Sequence, residues 1–150
     1  MKVDDMPHID EKEIQKKYMQ YQVLKQQIES LYEEKQRVDA GIREVDSTIN
    51  AINSLHGQDE ESMSLLGTGV YVSTETKNTS EVVINVGSGV FLRKKKADAV
   101  EILTKRKKEI TEFNNEIMRQ ISHSSNQMDD IEEELQEFMQ QHEHRHGSGE

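Results

Sequence analysis

Leu66-Gly67-Thr68-Gly69-Val70-Tyr71-Val72 and Val86-Gly87-Ser88-Gly89-Val90-Phe91-Leu92 stand 20 residues apart and repeat one pattern. Each sets a Gly-x-Gly turn before β-branched and aromatic residues. That is the chemistry of a β-hairpin: Gly67, Gly69, Gly87 and Gly89 supply the positive φ of a tight turn, and the flanking side chains suit a pleated strand. Four short strands are predicted, around Ser64 to Leu66, Val70 to Glu75, Glu81 to Val86, and Val90 to Lys94. Val70, Val72, Val82, Ile84, Val86, Val90 and Leu92 alternate onto one face, while Tyr71, Val83 and Phe91 point the other way. Two such hairpins are marginal alone and leave open edges, so the same element from other subunits is needed to close them into a barrel.

Periodic segments flank this centre. Leu24, Ile28, Leu31, Lys35, Val38, Ile42, Val45, Ile49 and Ile52 alternate steps of four and three, a coiled-coil seam. Ile14, Tyr18 and Tyr21 extend it upstream through a three-residue stammer between Tyr21 and Leu24. Asp10 and Glu13 form a capping box at its start, Ile9 and Ile14 a staple, and Gly57 a stop. Beyond the strands, Leu103, Arg106, Ile110, Phe113 and Ile117 make one seam. Ile121, Ser124, Met128, Ile131, Leu135 and Phe138 make a second, with a stutter between Ile117 and Ile121. Helices over 10–56 and 97–142, about 46 residues and about 70 Å each, can lie antiparallel over their whole length. Ile14 then falls near Met139, and Ile49 near Leu103.

Composition agrees with seams rather than a globular core. Hydrophobic residues are 33% of the chain and charged residues 32%, too little apolar surface for an ordinary domain of 150 residues. The predicted fold class is α+β: a long antiparallel coiled-coil hairpin with two central β-hairpins that join an intersubunit β-barrel. One domain is expected over 1–150, with the strands in 64–96 and a flexible tail over 143–150. The absence of Cys removes disulfides and thiolate metal sites, and no apolar run suggests export or membrane insertion, so a cytoplasmic location is expected. A net charge of −10 opposes nucleic acid as the main partner.

The order helix, two Gly-x-Gly hairpins, helix resembles the alpha-type subunit of the prefoldin family, and the resemblance covers nearly the whole chain. Gly67 to Val90 carries it most specifically, with Thr79-Ser80-Glu81-Val82 leading into Ile84-Asn85-Val86-Gly87-Ser88-Gly89-Val90. The resemblance implies a hexamer of two alpha and four beta subunits whose hairpins form a double β-barrel. It also implies an ATP-independent holdase that captures unfolded polypeptides at coil tips and passes them to a group II chaperonin, with no cofactor. One departure from the family is Lys95, where Ser or Asn often begins the second helix; Asp98 still favours that helix N-terminus.

Apolar residues near the termini are the candidate client-binding set: Met6, Ile9, Ile14 and Tyr18, with Leu135, Phe138 and Met139. Met suits varied surfaces. Ile14, Tyr18, Leu135 and Phe138 fit better as residues that close the coil, which leaves Met6, Ile9 and Met139 as the stronger candidates. The acidic run from Asp129 to Glu137 reads as a solvated face, or as a preference for basic clients. His142, His144 and His146 read as a polar terminus rather than a metal site, and the basic runs Arg93 to Lys96 and Lys105 to Lys108 as solvated surface rather than a nucleic-acid site. No phosphate loop and no catalytic cleft is evident, so the chain reads as a non-enzyme. The competing reading is a structural spacer or filament subunit that binds no client.

Overall fold

The computed structural model describes residues 11–56, 60–77 and 79–146. Met6, Ile9, the Asp10 cap and the Gly57 stop lie outside these residues, as do the side chains of His142, His144 and His146. The elements run α1 (Glu11–Ser54), β1 (Glu60–Gly67), β2 (Val70–Thr76), β3 (Glu81–Gly87), β4 (Val90–Lys95) and α2 (Lys96–His146). Two long helices therefore enclose two antiparallel hairpins, and the fold class read from the sequence holds. β1 starts at Glu60, ahead of the expected Ser64: Ser62 and Ser64 alternate with Met63 and Leu65, and all of them pair with β2.

The chain divides into two compact units. A helical unit holds the described parts of Met1–Arg37 and Asn114–Glu150, and a hairpin unit holds Val38–Phe113. In the helical unit α1 and α2 pack antiparallel: Ile14 and Phe138 line one hollow, and Leu24 and Ile131 line another. Ile28, Leu31, Ile117 and Ile121 are buried between them, with Ser124 as the one polar side chain buried among the described residues.

Two seam positions differ from expectation. Lys17, not Tyr18, lies in the seam: its side chain is 27% exposed and bonded to Glu134, while Tyr18 is 57% exposed. The reason is helical phase. Strict steps of three and four run back from Ile52 to Tyr21, and their continuation meets Lys17 and Ile14 without a stammer. The aliphatic stem of Lys17 fills the position and its ammonium reaches the rim. In α2 the same rigidity turns Phe113 outward and half-buries Asn114, because steps back from Ile121 meet Ile117 and then Asn114. The stutter therefore falls between Ile110 and Asn114, not between Ile117 and Ile121.

The hairpin unit has its own core of Ile52, Ile84, Ala99 and Leu103, flanked by Val45, Ile49, Val82, Val100 and Ile102. Lys96 binds the unit together. Its Nζ donates to the Leu55 carbonyl at 2.7 Å, placing a cation at the end of α1, whose last turn holds no basic residue. Its backbone N–H donates to the Ser80 carbonyl at 3.2 Å, so a strand-side acceptor serves the N–H that opens α2 immediately after Lys95.

Candidate functional site

Two surfaces gather the residues that sequence reasoning singled out. The first is the strand element. Among the described residues, β1 pairs with β2 alone and β3 with β4 alone, as separate two-stranded sheets. Gly67 pairs with Val70, and Gly87 with Val90, leaving two-residue loops in which Thr68, Gly69, Ser88 and Gly89 all have positive φ (48°, 79°, 49° and 74°). Positive φ at both central residues is the type I′ turn, whose twist matches that of paired strands. Each register slips by one residue just before its turn, at Leu66 and at Val86. In the second hairpin Asn85 Oδ1 accepts from the Gly87 N–H at 2.9 Å, and Arg106 donates to the Asn85 carbonyl at 3.0 Å. These bonds fasten that bulge to α2.

The two hairpins differ in how much of them the chain covers. Ile84 is 8% exposed and, with half-buried Val82, packs on this chain's own helices. Val86, Val90 and Leu92 are open to solvent, as are Val83 and Phe91 on the opposite face. In the first hairpin both faces are largely open: Val70 and Val72 with Ser62, Ser64 and half-buried Thr74 on one, Met63, Leu65 and Tyr71 on the other. The Thr74 hydroxyl lies 2.8 Å from that of Ser62 and 3.2 Å from that of Ser64, so the first face is tied by hydroxyls, while on the second Ser73 is the neighbour of Met63 and donates to its Sδ at 3.6 Å. Met63 lay ahead of the expected strand, although its alternation with Ser62 and Ser64 was there to see.

The second surface lies on the helical unit. Of the expected client-binding residues, Ile14, Leu135 and Phe138 are half-buried, whereas Tyr18 and Met139 are exposed. Beside them Met19 (68% exposed) and Val23 (62%) line an open groove with Leu24 and Ile131. Seam-directed reading missed this pair. Their i, i+4 spacing off the seam was the available signal.

Much of the basic collar is engaged internally. Lys107 contacts Asp46 at 2.6 Å, and Arg106 and Lys96 hold backbone carbonyls as described. Among the described residues, no group of three or more His, Asp or Glu is placed to hold a metal, and no helix is long and apolar enough to cross a membrane.

These features define a class: a coiled-coil hairpin protein carrying two β-hairpins whose sheets are unfinished in the single chain. The family model for prefoldin subunits matches residues 24–141. The chain belongs to the prefoldin family of chaperone subunits. It is 35% identical to prefoldin subunit alpha of Methanosarcina mazei over 106 residues, covering 67% of this chain and 75% of that one. With prefoldin subunit alpha of Methanobrevibacter smithii it shares 35% over 89 residues, 59% of this chain and 61% of the relative. A longer match to the Methanosarcina barkeri alpha subunit reaches 26% identity over 140 residues and covers 90% and 97% of the two chains. The fold is similar to a chain in the cryo-EM structure of filamentous prefoldin from Methanocaldococcus jannaschii, with a TM-score of 0.70 at 20% identity, covering 78% of this chain and 98% of that one.

Proposed function

We propose that this chain is the alpha-type subunit of a cytoplasmic, ATP-independent holdase, assembled with beta-type subunits as a hexamer of two alpha and four beta. In this reading the open strand faces are completed by sister subunits, and apolar residues toward the helix ends hold unfolded polypeptides for transfer to a group II chaperonin. No chemical step and no cofactor is required of it. The observation that carries the reading is apolar surface on the helical unit that its own seam does not consume: Tyr18, Met19, Val23 and Met139. A helix pair that served only as a spacer would gain nothing from leaving them in water.

The test mixes the chain with a beta-type subunit and follows aggregation of a denatured protein without ATP. Suppression at stoichiometric amounts is expected; unchanged aggregation at several-fold molar excess would overturn the reading. Removing residues 1–13 and 139–150 should weaken capture and leave assembly intact. The second reading, a filament or spacer subunit, draws on the strand edges open in both hairpins and predicts that the same truncation changes nothing.

A further inference from the structure

The outer edge of β3 can be read from one bond at the base of its hairpin. The Lys96 N–H donates to the Ser80 carbonyl, and these two residues stand one step beyond the Glu81–Lys95 pair in a register that runs unbroken to Asn85–Phe91. Antiparallel partners alternate between pairs that exchange bonds and pairs that do not. Val82 with Lys94 and Ile84 with Leu92 are therefore the bonded pairs, while Glu81, Val83 and Asn85 turn their N–H and C=O groups away from β4. That outward row is where another strand would add.

The two edges of this hairpin are protected differently. β4 carries Arg93, Lys94 and Lys95, and charged side chains on a strand blunt its edge. β3 carries Val82-Val83-Ile84-Asn85-Val86 without a charge, a β-prone run in which Val83 is exposed. The cation that β3 lacks arrives from α2: half-buried Arg106 donates from Nη2 to the outward Asn85 carbonyl at 3.0 Å. The Asn85 side chain accepts from the Gly87 N–H at 2.9 Å, which holds this stretch of backbone in place beneath the guanidinium. A strand adding to β3 has to break the charge-assisted bond and displace the side chain that makes it. We propose that Arg106 guards the outer edge of β3 and keeps unassembled copies of this chain from pairing with one another through it. The proposal concerns the chain on its own and does not rest on the chaperone reading.

The experiment follows the mass of the purified full chain by sedimentation over a range of concentrations, wild type beside Arg106→Met, which keeps an apolar stem and loses the donor. The variant should self-associate at about tenfold lower concentration, the shift that one charged hydrogen bond allows, and its Val83 amide should become protected from hydrogen exchange as it does so. Arg106→Lys, which keeps a cation, should lie between the two. Adding Val83→Pro to Arg106→Met removes an outward N–H and no ladder bond, and should return the chain to wild-type behaviour. Circular dichroism checks the helices of each variant; if Arg106→Met loses them, Arg106→Gln takes its place. Equal self-association of wild type and variant would overturn the proposal. So would association that leaves the Val83 amide unprotected, or that Val83→Pro does not reduce.

Discussion

Thr68 and Ser88 hold φ angles of 48° and 49°, a region that costs an L-residue about 1 kcal/mol and a β-branched one more. Asn tolerates that region and, followed by Gly, is the favoured type I′ pair. Thr68→Asn should therefore stabilise its hairpin by about 1 kcal/mol, read as a higher thermal midpoint of the assembled protein. Gly69→Ala, at φ +79° with nothing within 4 Å of the added Cβ, should cost about 1 kcal/mol through backbone strain alone. Lys17 offers a test of a different kind. It holds an apolar seam position at the cost of partly desolvating its ammonium, so Lys17→Leu should stabilise the helical unit by about 1 kcal/mol, seen as a higher melting midpoint by circular dichroism. Lys17→Glu, set beside Glu134, should lower it.

At the scale of elements, the two hairpins repeat one sequence pattern but are built into the molecule differently. Ile84 sits in a core with Ile52, Ala99 and Leu103, so Ile84→Ala should destabilise the isolated chain by about 2–3 kcal/mol in a denaturant titration. Tyr71→Ser in the open first hairpin should leave that titration nearly unchanged while lowering the native mass of the mixture with beta-type subunits. This difference was not legible in the sequence. The glycines, the turn type and the 20-residue repeat are local signals, but which face of β3 meets a helix depends on long-range placement, and Val82 and Ile84 read like Val70 and Val72 until α1 and α2 are beside them. The seams were legible where apolar residues carried them. They failed at Lys17 and Asn114, where a polar residue held the phase and a neighbouring aromatic, Tyr18 or Phe113, offered a false step. Met19 and Val23 escaped because attention to a seam discards what lies off it.

For the whole chain, low apolar content and a net charge of −10 leave little to stabilise it by itself. Partner binding should contribute through mass action: at a hundredfold excess of beta-type subunit over its Kd, the gain is about 2.7 kcal/mol, so the thermal midpoint should climb with partner concentration. A midpoint indifferent to partner would contradict the assembly proposed for the strands. The first hairpin also bears on the fate of newly made copies. With Met63, Leu65, Leu66 and Tyr71 all facing water, a chain released from the ribosome ahead of its partners displays a greasy ribbon with free edges, the kind of segment that proteases cut and that stray strands join. If sister subunits complete this hairpin as proposed, their supply should set how long each orphan copy survives, and depleting them should shorten its half-life.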